Sequence, residues 1–112
     1  MTLKIGKNEY EIVVANDFKT RLIGLMGQSN IDFGMLFPNC NSIHTFFMKE
    51  EIDVVALDIN HEVIYKAESV QKNQIIRIKN EQNKTSILEL PKNASKKIKI
   101  GQILLFKDKD VI

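Results

Sequence analysis

Apolar residues along this chain gather in short runs broken by Gly, Pro, Asn and Lys, and that pattern predicts strands. Thr2–Ile5 and Glu9–Ala15 flank Gly6-Lys7-Asn8, which reads as a hairpin turn. Gly34–Phe37 is a short apolar run stopped by Pro38. Ile43–Met48 and Ile52–Ile59 are longer and rich in β-branched and aromatic residues, as strands prefer. Val63–Val70, Ile75–Ile78 and Thr85–Leu90 follow between polar turns. Pro91–Lys96 reads as one helical turn, and Ile98–Ile100 and Ile103–Phe106 as final strands. Lys107–Ile112 is polar and is expected to fray.

One segment reads differently. Asn16 or Asp17 can cap a helix, Phe18, Leu22, Leu25 and Met26 fall on one helical face, and Gly27 can end it. The pattern thus predicts one helix within Asp17–Met26, packed on a mainly β domain. Many short strands at near-regular spacing point to a small barrel-like sheet. No linker or repeat divides the 112 residues, so a single domain over 1–112 is expected.

Composition narrows the function classes. At 44% hydrophobic and 27% charged the chain is an ordinary globular one. A net charge of +2, with Arg only at positions 21 and 77, is a weak basis for binding nucleic acid or an anionic membrane. No run is long enough for a membrane span. The start, MTLKIGKNEYEIVVA, lacks the apolar core of a signal peptide, and one cysteine cannot form an internal disulfide, so a cytoplasmic location is expected.

Candidate chemistry gathers between Pro38 and Asp58. If Ile43–Met48 is extended, His44, Phe46 and Met48 share one face and Ile43, Thr45 and Phe47 the other. His44 then stands among apolar neighbours, either as a tuned imidazole or as a satisfied core histidine. Cys40 lies four residues before it, and a thiol next to an imidazole is the minimal activated nucleophile, with Asp53 or Asp58 able to orient the ring. Free cysteine is as readily a buried small hydrophobe. Metal binding would need Cys40, His44, Asp58 and Glu89 to converge, and no ligand spacing supports it, so neither metal nor other cofactor is expected.

Asp53 and Asp58 interrupt an apolar strand, and their odd spacing turns at least one inward unless a bulge intervenes. Glu89 in ILELP poses the same problem. Each is either a ligand-facing carboxylate or a structural one, and taken alone the structural reading is favoured. Arg21, beside the helix stripe, is the natural partner for these acids. Gly24 inside a helix costs about 1 kcal/mol relative to Ala, which suggests a close approach there by a strand or a ligand.

Five pieces in order (Arg21-Leu22-Ile23-Gly24-Leu25-Met26, Gly34-Met35-Leu36-Phe37, Ile43-His44-Thr45-Phe46-Phe47-Met48, Ile52–Asp58 and Leu88-Glu89-Leu90-Pro91) resemble an uncharacterised prokaryotic family known as domain of unknown function 192. Gly101 also fits. The resemblance implies a small barrel-like β fold with a short helix, and marks Arg21, His44, Thr45, Met48, Asp53, Asp58 and Glu89 as family-pattern positions. Cys40 and Ser42 match one version of the motif. Lys49-Glu50-Glu51 and Ala56 depart from it. The family brings no established activity.

Three functions therefore compete. The leading expectation is a non-enzymatic or accessory domain that binds a small polar ligand or a peptide end through Arg21, Ser42, His44, Thr45, Asp53, Asp58 and Glu89. The second is a small hydrolase or transferase using Cys40 and His44. The third is a scaffold whose polar cluster only ties helix to sheet. Whether the chain is an enzyme, and its oligomeric state, stay open at this level.

Overall fold

The computed structural model describes residues 1–17, 20, 23–79 and 84–108. Among them nine strands form in chain order: β1 (Thr2–Ile5), β2 (Asn8–Val14), β3 (Gly34–Phe37), β4 (Ser42–His44), β5 (Ile52–Leu57), β6 (Val63–Val70), β7 (Ile75–Arg77), β8 (Ser86–Pro91) and β9 (Phe106–Lys107). Seven make one sheet, ordered β6-β5-β8-β3-β2-β1-β9, and β4 pairs with β7 in a separate two-stranded sheet. All pairs are antiparallel except β2–β3. A parallel pair needs a crossover, and residues 15–33 provide it.

Alternation along the central strands sends side chains to two buried layers. Leu36, Val55, Leu57, Leu88 and Leu90 face one core, completed by Leu3, Ile5 and Ile12 from the far strands and by Ala94, Ile98 and Leu104. Residues of β1 and β2 can join that core because the sheet curls toward a half-barrel. Met35, Phe37, Ile52, Val54, Ala56 and Ile87 face the opposite core, covered by Ala15, Leu25, Ile43, Met48 and Ile78. β5 is buried along its whole length for this reason.

The helix expected within Asp17–Met26 falls partly outside the described residues, since Phe18, Lys19, Arg21 and Leu22 are not among them. Thr20 and Ile23 are helical, and the Gly24 amide donates to the Thr20 carbonyl across 2.8 Å. Asp17 is the cap: its carboxylate accepts from the Thr20 amide at 2.7 Å and the Thr20 hydroxyl at 2.9 Å. Helix gives way at Gly24, where φ is +52°, to turns through Gly27. Gly24 is therefore an end and not a mid-helix residue.

Four strand expectations need correction. The run Ile43–Met48 is extended only through His44. Thr45 is then fastened to the β6–β7 turn, the Met48 amide donates to the Thr45 carbonyl at 3.3 Å, and Phe47 takes φ +63°. This turn resets the alternation, burying Met48 and leaving Phe47 79% exposed. β5 stops at Leu57, because Asp58 opens a turn. Residues 92–97 form successive turns, and Ile98–Ile100 continues them without pairing as a strand. Ile103 makes a single bridge to Glu62, and the last strand is Phe106–Lys107, so Lys107 pairs with Thr2 instead of fraying.

Candidate functional site

A cleft of about 110 Å³ opens where the crossover segment meets β3, β4 and β8. Ile23–Met26 form one wall, and Phe37, Ile43 and Met48 the apolar depth. Cys40, Ser42 and His44 stand toward the mouth, and Glu89 lies at the floor. The two-residue period puts Glu89 there. Met35 and Val54 flank it in register on β3 and β5, and Phe37 and Ile87 lie on the same side of the sheet.

Glu89 is 4% exposed, and its Oε1 is a fully buried side-chain oxygen without a hydrogen-bond partner among the described residues. Burial disfavours the charged form and pushes the carboxyl up to about 8, so at neutral pH it is mostly protonated. A β-carbon added to Gly24 would lie 3.5 Å from Oε1 and 3.2 Å from Phe37 Cζ. The close approach expected at Gly24 is thus real, and what approaches is the cleft floor.

His44 is exposed at the mouth, its ring stacked on Phe46 with centroids 4.9 Å apart. Its Nδ1 accepts from the Phe46 amide at 3.2 Å, so in this arrangement Nε2 is the nitrogen that carries hydrogen. The Cys40 thiol, half-buried and free, donates to the Ser42 carbonyl at 3.2 Å. Cys40 and His44 therefore share the cleft, as the motif spacing allows. The ring lone pair a thiol base would use is nevertheless engaged by backbone, and the proposed orienting acids lie elsewhere.

Those acids are structural. Asp53 is fully buried on the opposite layer from Glu89, and its two oxygens accept four bonds. Oδ1 takes the Ser69 amide at 2.9 Å and the Asn93 amide at 3.2 Å. Oδ2 takes the Ser95 amide at 2.9 Å and the Ser95 hydroxyl at 2.6 Å. It pins the 92–97 turns to β5 and to the bulge where Ile52 pairs Val70 but Val54 pairs Ala67. Asp58 accepts the Asn60 and Glu62 amides at 2.8 and 2.9 Å, forming the β5–β6 turn. Neither faces the cleft.

Thr45 is also structural. Wholly buried, its hydroxyl donates to the Gln71 carbonyl at 2.7 Å and accepts from the Gln74 amide at 2.8 Å, while its own amide bonds the Gln74 carbonyl at 2.9 Å. Of the expected site residues, the cleft gathers Cys40, Ser42, His44 and Glu89 and leaves out Thr45, Asp53 and Asp58. Arg21 lies outside the described residues. The sequence reading missed Phe37 as cleft lining, since an apolar residue inside a strand run carries no polar signal. Among the described residues, no three His, Cys, Asp or Glu side chains converge as a metal site requires, and no helix is long and apolar enough to cross a membrane.

The chain belongs to the DUF192 family, described as an uncharacterized ACR, whose profile matches residues 1–105. Two solved structures share the fold. One is a protein of unknown function from Novosphingobium aromaticivorans, 15% identical, with a TM-score of 0.72 over 94% of this chain and 82% of that one. The other, from Sinorhizobium meliloti 1021, is described as a candidate transcription regulator; it is 19% identical, with a TM-score of 0.71 over 93% of this chain and 89% of that one. Comparison with curated proteins finds no match.

Proposed function

We propose that this chain is a binding domain whose cleft takes the polar end of a small molecule or peptide. One observation carries the reading: Glu89 holds a buried oxygen, unpartnered among the described residues, at the floor of an open cleft. A buried polar atom left unpaired costs about 1–3 kcal/mol, a cost that a ligand hydrogen bond would offset. Mainly apolar walls with a few convergent polar groups are the usual composition of a ligand site. The volume suits a head group of a few heavy atoms and not a nucleotide. Two other depressions, near Glu51 and Lys92 and along β6–β7, are larger and shallower. The first is spanned by the Glu51–Lys92 ion pair at 2.8 Å.

The Cys40–His44 hydrolase reading is weaker, because His44 presents Nε2–H and no carboxylate among the described residues orients it. The single free thiol suits a reducing compartment such as the cytoplasm.

Crystals soaked with small polar compounds test the reading. Density for a compound bonded to Glu89 supports it. A cleft left to disordered solvent across amines, amides, alcohols and acids, each near its solubility limit, contradicts it.

A further inference from the structure

We propose that the group this cleft accepts is a protonated primary amine, carried by a free small amine or by a peptide amino terminus. The inference rests on the cleft being a binding site and adds the ligand's chemical class.

Four features of the lining point the same way. Glu89 supplies a carboxyl at the floor whose Oε1 has no hydrogen-bond partner among the described residues and so has acceptor capacity to spare. Phe37 lies within reach of the same point, since both it and Oε1 crowd the β-carbon position of Gly24. The Cζ–Cε2 rim of the ring meets this point and offers apolar contact to the carbon that carries the amine. Met26 and Met48 add polarizable thioethers, which are weak acceptors and never donors. No Lys or Arg appears among the described lining residues, so those residues offer an anionic head group no charge-assisted bond.

An ammonium group also resolves the cost of burying Glu89. In the empty cleft the carboxyl holds its proton. When R–NH3⁺ enters, the carboxyl gives that proton to solvent and the carboxylate accepts a charge-assisted bond from the ammonium. One proton leaves for each amine bound, and no covalent bond forms. Amine affinity therefore rises with pH until Glu89 ionises unaided. Among the described residues the other titratable groups facing the cleft are Cys40 and His44, both on the segment leading into and along β4. The 23–26 wall, Phe37 and Met48 bring none among the described residues.

The test uses the full chain with ¹³C-methyl methionine, titrated by NMR with ethylammonium, acetamide and acetate, three probes of similar size. Ethylammonium should shift Met26 and Met48 saturably, with affinity increasing about tenfold between pH 6 and 7 and with proton release in weakly buffered solution. Glu89→Gln should lose at least tenfold in that affinity. The proton release, measured on the unaltered chain, stands even if the variant folds poorly. Adding Ala-Gly-amide with a free or an acetylated terminus separates the two sources. Tighter binding of the free-terminus peptide than of ethylammonium assigns a peptide end, and exclusion of both peptides assigns a free amine. Binding of acetamide or acetate in place of ethylammonium overturns the amine and leaves the cleft a binding site. Methionine signals that none of the probes moves overturn both.

Discussion

Gly24 stands directly over Glu89, so close that a β-carbon on it would lie 3.5 Å from the carboxylate oxygen. Its backbone, at φ +52°, closes one side of the cleft where a side chain would fill it. A non-glycine residue in this left-handed region costs about 1–2 kcal/mol. Gly24→Ala should therefore lose roughly that much in urea unfolding and also obstruct the cleft, because the added methyl stands 3.2 Å from Phe37 Cζ. A variant as stable as the parent would show that the left-handed turn is not required.

Burial raises the Glu89 carboxyl from an ordinary 4.5 to about 8. The folded state then binds the proton more tightly than the unfolded chain. This contribution is fully present below about pH 4.5, declines as pH rises, and is lost once pH passes about 8. Each tenfold gain in proton affinity corresponds to about 1.4 kcal/mol, so several kcal/mol are at stake as an upper bound. Glu89→Gln should remove the downward slope between pH 5 and 8, which urea midpoints across that range would show.

Asp53 holds four donors from three residues in a sealed layer. Asp53→Ala should cost roughly 3 kcal/mol or more, because the Ser69, Asn93 and Ser95 amides lose their acceptor in the interior. Asp53→Asn should also destabilise, since one side of the amide presents N–H groups toward N–H groups. Ligand binding in the cleft should survive in any folded fraction, as Asp53 faces the other core. Wild-type stability in either variant would contradict this role.

The Thr45 hydroxyl bridges Gln71 and Gln74 away from the cleft lining. Thr45→Val keeps the shape and drops the hydroxyl, at an expected cost of about 1–3 kcal/mol. Hydrogen exchange at the Gln74 amide should speed up, and Thr45→Ser should restore most of its protection.

Strand runs with clear ends were readable from sequence. Gly34–Phe37 and Val63–Val70 match to the residue, because Gly, Pro and polar turns mark their ends. The run from Ile43 to Met48 misled because β-branched and aromatic residues favour strand locally, while a tertiary latch at Thr45 bends the chain after His44. The inward acids were legible as a problem but not as a solution. The β5–β8 register puts Asp53 and Glu89 on opposite layers, and only three-dimensional neighbours decide that four donors reach Asp53 and none among the described residues reaches Glu89 Oε1. Donors from the 92–97 turns lie about forty residues away in sequence, beyond any spacing rule.

Glu89 thus brings a buried carboxyl, with Oε1 unpartnered among the described residues, to the floor of an open cleft. The most direct test is the pH titration of its side-chain carboxyl ¹³C resonance, assigned by its loss in Glu89→Gln. The expected midpoint is about 8, falling when ethylammonium saturates the cleft. A midpoint in the ordinary glutamate range near 4.5, unchanged by the amine, would contradict this picture, because it would mean the carboxylate already has a partner or stands in water.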